Sequence, residues 1–325
     1  MHNVGVNLTT ITDLTAAAAR VRDFVVRTPL LPSLWAPAAR PLWLKPELLQ
    51  PIGAFKIRGA ANAVARIPED ARARGVVAYS SGNHAQAVAY VAKLFGVPAT
   101  IVVTTNTPQV KIDATRAHGA EVVVVPPADR ESAAAQVVAE RGGTLVPPFD
   151  HPDVIAGQGT LGLEIADDLP DVELVLVPVS GGGLISGVAA AIKARAPRAK
   201  VIGVEPELAG DTADSFRAGR LVDWSTDDRA RTIADGLRST PSELTFAHIQ
   251  KFVDDVVTVS EDEIRDAMAV LATRSHLVAE PSGAVATAAY LHADVPAGRT
   301  VAVVSGGNVD PALLLDVLSA QRASA

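Results

Sequence analysis

Three short Ser/Gly clusters stand where a parallel sheet would present its ligand-binding edge. Each cluster follows an apolar run predicted as a strand and precedes a predicted helix. The clusters are SSGNH at 80–84, SGGG at 180–183 and SGGN at 305–308. Glycine lets backbone N–H groups approach a ligand closely, and a helix N-terminus favours an anion. Because ligands bind beyond the carboxyl ends of parallel strands, the clusters predict one shared site, with residues 181–183 as the best phosphate cradle.

Lys56 is the second residue that could carry chemistry. It stands between Phe55 and Ile57 at the start of an Ala-rich segment predicted as a helix. A surface lysine whose stem covers apolar neighbours would account for this position. The positive end of the helix dipole and partial burial would, however, lower the pKa of the amine. Covalent attachment to a carbonyl compound requires such an amine, and the residues alone leave both interpretations open.

A dinucleotide site is a rival interpretation of the glycine-rich segments. Residues 157–162 (GQGTLG) fit G-x-G-x-x-G in their letters, but the Pro- and Asp-rich segment before them is not a strand. Residues 181–187 (GGGLISG) do follow a predicted strand, and Glu205 ends the next strand, where a ribose-binding acid would stand. Taken alone, that segment predicts a nicotinamide-dependent oxidoreductase. No lysine follows these glycines at the spacing G-x-x-x-x-G-K-[ST], so the segment is not a P-loop.

Short apolar strands alternate with longer Ala-rich or amphipathic helices along the chain. The predicted strands cover residues 75–80, 100–104, 122–125, 174–179, 200–204 and 300–304, and the predicted helices cover 85–95, 109–118, 130–141, 184–195 and 311–321. This alternation predicts an α/β fold of βαβ units, with parallel sheets covered on both faces. We expect two parallel-sheet domains: a large one formed by residues 1–74 and 147–325, and a small one formed by residues 75–146.

Composition excludes several classes of protein. The 325 residues carry 29 Lys and Arg against 36 Asp and Glu, a net charge of −7 that argues against a nucleic-acid partner. The chain has no cysteine, which excludes disulfides, a thiol nucleophile and thiolate-bound zinc. No signal peptide is apparent, and no apolar run approaches the roughly 18–20 residues that span a membrane. We expect a soluble, cytoplasmic protein without a membrane partner.

Together these motifs resemble those of pyridoxal-phosphate enzymes of fold type II, and within them the serine/threonine dehydratase and serine racemase family. The resemblance rests on GAFKIRGA at 53–60, SSGNHAQ at 80–86, the glycine loop at 180–183 and SGGN at 305–308, and it extends from about residue 10 to residue 318. IAGQGT at 155–160, ADG at 234–236 and EPSG at 280–283 also match. It implies a tryptophan synthase β-like architecture and pyridoxal 5′-phosphate as cofactor. Two positions depart from many relatives: Ala54 replaces a Ser, and Ser180 replaces a Gly.

The resemblance implies a role for each matched residue. Lys56 would hold the cofactor covalently and take the Cα proton on one face of the substrate, and in racemase members Ser81 would be the acid/base on the opposite face. The other cofactor-binding residues would be Phe55, Asn83, Ser180, Gly181, Gly182, Gly183 and Ser305. The substrate carboxylate would be surrounded by Ser81, Asn83, His84 and Gln86. Without the resemblance, His84 could be a structural histidine and Ser305 a helix cap.

A metal site is implied for racemase-type members. The residues that match its ligands are Glu205, the carbonyl group of Ala209 and Asp211. Oxygen ligands suit hard cations such as Mg²⁺, Mn²⁺ or Ca²⁺. A surface acidic loop is the alternative interpretation of this segment.

The activity implied is a deaminating β-elimination of water that converts L-threonine or L-serine to 2-oxobutyrate or pyruvate plus ammonia. Serine racemisation and dehydration of 3-hydroxyaspartate are alternatives on the same fold, and a nicotinamide-dependent oxidoreductase is a more remote one. The partner would be a small-molecule amino-acid substrate, and the family is often a homodimer or homotetramer. Only one helix is predicted after Ser305, so we expect no regulatory domain and no inhibition by isoleucine.

Overall fold

The computed structural model describes residues 7–323, which form two sheets flanked by helices. The strands are β1 (Leu31–Pro32), β2 (Leu42–Pro46), β3 (Val76–Tyr79), β4 (Ala99–Thr104), β5 (Glu121–Val125), β6 (Thr144–Leu145), β7 (Leu174–Pro178), β8 (Lys200–Pro206), β9 (Asp255–Val259) and β10 (Thr300–Val304). Most of them are continuous apolar runs, and β4, β7 and β10 are buried along their whole length. Strands buried on both faces are typical of parallel sheets covered by helices.

Helices alternate with these strands through most of the described chain. They are α1 (Ile11–Val21), α2 (Lys56–Arg66), α3 (Glu69–Arg72), α4 (Asn83–Phe95), α5 (Gln109–Ala117), α6 (Arg130–Arg141), α7 (Pro152–Asp168), α8 (Gly183–Arg195), α9 (Asp211–Ala218), α10 (Thr226–Arg229), α11 (Glu243–Phe252), α12 (Glu261–Arg274), α13 (Pro281–His292) and α14 (Pro311–Ala323). None of the helices between residues 7 and 323 is both long and apolar enough to cross a lipid bilayer.

Two separate sheets organise these elements. The larger sheet has the strand order β1-β2-β10-β7-β8-β9, and all its neighbours are parallel except β1 and β2. The smaller sheet has the order β5-β4-β3-β6 and is parallel throughout. The predicted α/β fold with two parallel sheets is therefore confirmed. All four strands of the smaller sheet lie between Val76 and Leu145, whereas the domain boundaries near residues 75 and 146 stay a prediction.

The GQGTLG segment at 157–162 lies inside α7 and not in a phosphate-binding turn. Its glycines allow α7 to pack closely against α8: a Cβ on Gly159 would lie 2.7 Å from the carbonyl oxygen of Gly187, and one on Gly162 would lie 2.8 Å from that of Val188. Such distances are too short for a side chain. The motif therefore serves helix packing, and the strand-end clusters stay the predicted ligand-binding segments.

Candidate active site

Lys56 is positioned by a contact between the start of α2 and the end of β10. Ala54 forms an antiparallel β-bridge with Gly306, and the N–H group of Phe55 donates a hydrogen bond to the carbonyl oxygen of Ser305 at 3.0 Å. These two contacts hold the segment just before Lys56 against the segment that contains Ser305. The structure therefore brings Lys56 together with Ser305, which is 249 positions later in the chain.

The amine of Lys56 lies in a partly buried environment without a carboxylate partner among its described contacts. Its Nζ donates a hydrogen bond to the carbonyl oxygen of Pro148 at 2.8 Å and lies 5.2 Å from the centroid of the Phe55 ring. Desolvation by burial lowers the pKa of Lys56 to about 8, because a buried ammonium loses hydration. A substantial fraction of the amine is therefore neutral and nucleophilic near physiological pH.

The glycine loop at 180–183 lies next to Phe149, the residue that follows Pro148. Gly182 has φ +84°, a conformation that glycine adopts without strain, and no side chain caps α8. The first N–H groups of α8 are thus left for another acceptor, and the helix dipole favours an anion there. Phe149 packs closely on the loop: a Cβ on Gly183 would lie 2.8 Å from the Cβ of Phe149. Since Pro148 contacts Lys56 and Phe149 contacts the loop, the structure brings the amine and the predicted anion cradle to the same segment.

Asn83 is held by two polar side chains from distant segments. Its Nδ2 donates to Oε1 of Glu280 at 2.7 Å, and its Oδ1 accepts from Nδ2 of Asn308 at 2.8 Å. Burial, and secondly the charge of Asp235, raise the pKa of Glu280 to about 7. Ser305 is buried nearby and donates to the carbonyl oxygen of Ser282 at 3.3 Å. Asn83 therefore has a fixed orientation beside the SGGN segment.

The predicted substrate-binding residues lie around the N-terminus of α4. His84 is buried, its Nε2 lies 2.8 Å from the carbonyl oxygen of Val146, and its Nδ1 has no hydrogen-bond partner in the described chain. Burial and the nearby charge of Lys56 lower the pKa of His84 to about 3, so this imidazole is neutral at pH 7. Ser81 is half-buried just before the helix, and Gln86 is half-buried in its first turn.

Comparison with known proteins decides which family this arrangement represents. Residues 21–306 match the family described as pyridoxal-phosphate dependent enzyme. The chain belongs to that family. The family resemblance noted in the sequence is thereby confirmed.

Relatives within the pyridoxal-phosphate family carry several activities. The chain is 43% identical over 305 residues to L-threo-3-hydroxyaspartate ammonia-lyase of Saccharomyces cerevisiae, covering 92% of this chain and 93% of the relative. It is 46% identical over 307 residues to L-threonine ammonia-lyase of Thermotoga maritima, covering 93% and 76%. The structure of maize serine racemase superposes with a TM-score of 0.91 at 36% identity, covering 98% and 99%. These matches show a pyridoxal-phosphate enzyme of fold type II and leave its exact activity open among these three.

Pyridoxal phosphate is the cofactor that the family implies, and the residues of the site fit it. Lys56 offers an amine with a lowered pKa for the aldehyde, and the glycine loop offers backbone N–H groups for the phosphate. Both groups contact the Pro148–Phe149 segment. The role of each residue in holding the cofactor stays a prediction.

Ser180, unlike the three glycines that follow it, has a side chain, and its hydroxyl forms two hydrogen bonds with the backbone of Ser239. Its Oγ accepts a hydrogen bond from the N–H group of Ser239 at 3.0 Å and donates to the carbonyl oxygen of Ser239 at 3.2 Å. This reciprocal pair ties the loop to the segment before α11. A contact between the Ser180 hydroxyl and a phosphate would have to compete with both bonds.

The predicted metal ligands form a buried acidic pair near the start of α9. Glu205 accepts hydrogen bonds from the N–H groups of Thr212 and Ala213 at 3.3 and 2.9 Å, and Asp211 has a buried Oδ2 without a partner in the described chain. Burial, and secondly Asp211, raise the pKa of Glu205, and burial raises that of Asp211 to about 6. Among residues 7–323, no group of three or more His, Cys, Asp or Glu side chains could hold a metal. Because Glu205 is buried and bound to α9, it is also poorly placed for a ribose, which removes the main support for a nicotinamide site.

Sequence reasoning missed the residues that hold the site residues in place. Glu280 lies in the EPSG motif and Asn308 in the SGGN motif, but neither was assigned to the site. Thr107, which donates a hydrogen bond to Ser81 at 2.7 Å, carried no signal at all. Only the two motifs gave a hint, because nothing in the sequence links residues 83 and 280.

Proposed function

We propose that the chain is an ammonia-lyase that eliminates water from L-threonine or L-serine and releases 2-oxobutyrate or pyruvate with ammonia. The observation that carries this proposal is the amine of Lys56, with its pKa lowered to about 8, beside the segment that packs on the glycine loop. The resemblance to an L-threonine ammonia-lyase over 93% of the chain supports the choice of reaction.

Lys56 would take the Cα proton of the substrate at its Nζ. When bound, pyridoxal phosphate supplies an electron sink for the negative charge left on Cα. An amine with a pKa near 8 is a base matched to neutral or slightly alkaline pH, and such assistance is worth about 10²–10⁴-fold in rate. The hydroxyl group on Cβ would then leave as water after taking up a proton, for which the ammonium of Lys56 is the available donor, and hydrolysis of the unsaturated product would give the 2-oxo acid and ammonia.

The N-terminus of α4 would orient the substrate. Its free N–H groups and dipole favour the substrate carboxylate, with Ser81, Asn83 and Gln86 around it. His84 is neutral at pH 7 because of its low pKa, so it would contribute a hydrogen bond and no charge. Ser305, an uncharged group, would face the pyridine nitrogen. The uncharged Ser305 hydroxyl would offer that nitrogen no acidic partner, which would suit a reaction that expels its leaving group promptly.

Serine racemisation is the second candidate, and Ser81 is the observation that favours it. A hydroxyl on the face opposite Lys56 would return a proton to Cα with inverted configuration. Ser81 accepts a hydrogen bond from Thr107 at 2.7 Å, so the structure holds its oxygen in place. The high TM-score with maize serine racemase is consistent with this second activity.

A substrate panel tests the proposed function. We expect the protein loaded with pyridoxal phosphate to form 2-oxo acid from L-threonine and L-serine with a higher kcat/KM than from L-threo-3-hydroxyaspartate. The measurement is a 2-oxo acid assay combined with chiral analysis of the remaining amino acid. Faster turnover of hydroxyaspartate would contradict the proposed substrate, and D-serine appearing without pyruvate would contradict elimination. Size-exclusion chromatography with light scattering on the same sample tests the expected homodimer or homotetramer.

We also propose that Glu205, Asp211 and the Ala209 carbonyl bind Mg²⁺, Mn²⁺ or Ca²⁺. Two buried carboxylates with raised pKa values lose mutual repulsion when a cation binds. Ca²⁺ at about 100 times its Kd should stabilise the folded protein by about 2.7 kcal/mol, measured as a rise in Tm. Protons compete with the cation at raised pKa values, so this rise should shrink as the pH falls below about 6.

The matched variants for the metal are Asp211→Asn and Asp227→Asn. Asp227 is an exposed aspartate in α10, so its replacement should leave the Ca²⁺-dependent rise in Tm intact. The Asp211→Asn protein should lose the rise. An equal rise in both variants would show that the cation binds elsewhere.

A further inference from the structure

The register of the smaller sheet brings hydroxyl groups together beside Ser81. Tyr79 of β3 pairs with Val102 of β4, so Ser81 lies beside Thr104 at the same edge of the sheet. A tight turn follows β4, in which the N–H group of Thr107 donates to the carbonyl oxygen of Thr104 at 2.9 Å. This turn places the Thr107 side chain next to Ser81, and both threonines are buried, with 8% and 9% of their surface exposed.

The hydrogen bonds in this cluster have a direction. Thr107 Oγ1 donates to Ser81 Oγ at 2.7 Å, and Thr104 Oγ1 donates to Oδ1 of the exposed Asn106 at 2.5 Å. Thr107 Oγ1 also lies 3.2 Å from Thr104 Oγ1, but Ser81 is the nearer acceptor. Each hydroxyl carries one hydrogen, so with these bonds the hydrogens of both threonines are used. Thr104 lies 3.4 Å from Ser81 and can only accept from it, over a long distance. Ser81 thus accepts a bond from Thr107 and keeps its own hydrogen for the active site.

We propose that Thr107 is a positioning residue for Ser81 in proton exchange at the substrate Cα on the face opposite Lys56. This inference rests on the proposed function, in which Ser81 faces the substrate. A donated hydrogen bond stabilises the oxygen of Ser81 when it has lost its proton, and it holds that oxygen in one orientation. Thr107 therefore assists Ser81 both in giving and in taking a proton.

The proton balance identifies the reactions that depend on Thr107. In racemisation of an L-amino acid, Lys56 takes the Cα proton, Ser81 gives its own to the other face, and water returns one proton from Lys56 to Ser81. In elimination from a D-amino acid, the Cα proton faces Ser81, which takes it as the base after its own proton has passed through water to the amine of Lys56. Elimination from an L-amino acid needs only Lys56 as the base. Thr107 should therefore affect D-serine turnover and racemisation, and not elimination from L-serine.

Two variants of Thr107 and a neighbour as control test this inference in the loaded protein. Thr107→Val keeps the shape and removes the donor, and Thr107→Ser keeps the donor. Thr105→Val changes an exposed threonine two positions away. Thr107→Val should lower both D-serine turnover and D-serine formation from L-serine by about tenfold, the worth of one hydrogen bond to a charged oxygen. Turnover of L-serine should stay within about threefold, and the Thr107→Ser and Thr105→Val proteins should keep the wild-type ratio of D- to L-serine turnover.

The visible spectrum of the bound cofactor and the Tm give readouts besides activity. Both should be unchanged in Thr107→Val, and Thr107→Ala serves as the second variant if the valine protein does not fold. An equal loss with both isomers, a changed spectrum, or an unchanged ratio of D- to L-serine turnover would overturn the inference. So would a wild-type protein that eliminates from L-serine but neither turns over nor forms D-serine. If the wild type forms no 2-oxo acid from L-isomers, the proposed function fails, and chiral analysis of serine racemisation then tests Thr107 separately.

Discussion

Replacing Lys56 with Ala should reduce formation of 2-oxo acid by at least about 10³-fold, because one change removes both the covalent anchor and the base. The side chain is partly buried, and its amine is held at 2.8 Å from the Pro148 carbonyl oxygen. Water that fills the space left by the lysine is a far weaker base than an amine with a pKa near 8. The visible absorbance that reports cofactor bound through lysine should disappear as well. Steady-state assays and absorbance spectra of the purified variant measure both effects.

Borohydride reduction followed by peptide mapping identifies the attachment site independently of turnover. In the wild type, the label should be found on the peptide that contains Lys56. The control is Lys251→Ala, which removes an exposed lysine near the end of α11 and should keep both label and activity. A label on another lysine, or turnover retained in Lys56→Ala, would contradict the assignment of this amine and with it the proposed mechanism.

Local signals account for the elements that the sequence predicted well. Strand β10 and helix α6 agree with the predicted bounds at both ends. An uninterrupted apolar run predicts β10. An amphipathic segment followed by Gly142, which adopts the left-handed conformation, predicts α6 and its end. Helix α7 was not predicted, because Pro152 and the three glycines of residues 157–162 are typical of loops. Those glycines have a tertiary cause, the close approach of α8, and a single sequence does not show it.

The site divides in the same way. Lys56 and the glycine loop were predictable, because their chemistry depends on residue type next to a strand or helix end. The contacts that hold the site were not, because they join distant segments: Asn83 and Glu280 are 197 residues apart, and Ser81 and Thr107 are 26 apart. A sequence shows that such polar residues exist, but only the folded chain shows which of them face each other.

Arg58, two residues after Lys56, lies at the centre of a buried group of charges that the sequence did not reveal. Its guanidinium donates to Glu47 at 2.7 and 2.8 Å and to Glu164 at 2.7 and 2.9 Å. Lys45 donates to Glu164 at 2.7 Å and to the carbonyl oxygen of Thr28 at 2.6 Å. The side chains of Arg58, Lys45 and Glu47 are fully buried. This group joins α2 to α7 and to the segment after β2, and so holds the first turn of α2, the helix that begins at Lys56.

Replacing Arg58 with Met should lower the free energy of unfolding by about 3–5 kcal/mol, because Glu47 and Glu164 would keep their buried positions and lose their main counter-charge. Urea denaturation of the variant and the wild type measures this loss. Arg141→Ala is the matched control, since Arg141 pairs with Glu121 on the surface, and exposed pairs contribute little. A variant as stable as the wild type would show that the buried pair is balanced by its cost of desolvation.

The pH dependence of this loss distinguishes an electrostatic cause from a packing cause. In the wild type, Arg58 holds the pKa of Glu47 below its ordinary value of 4.5 against the effect of burial. A carboxyl with a lowered pKa contributes stability above about pH 4.5, and that contribution is lost as the pH falls through its folded pKa. In Arg58→Met, burial without the arginine should raise the pKa of Glu47, so that this carboxyl takes up a proton more readily than in the wild type. The difference in stability between the two proteins should therefore be largest near pH 7 and should already shrink above pH 4.5, as the carboxyl of the variant takes up its proton, and it should continue to shrink as the pH falls through the lowered pKa of the wild type. A cavity or misfit left by the arginine would instead destabilise the variant equally over this whole range.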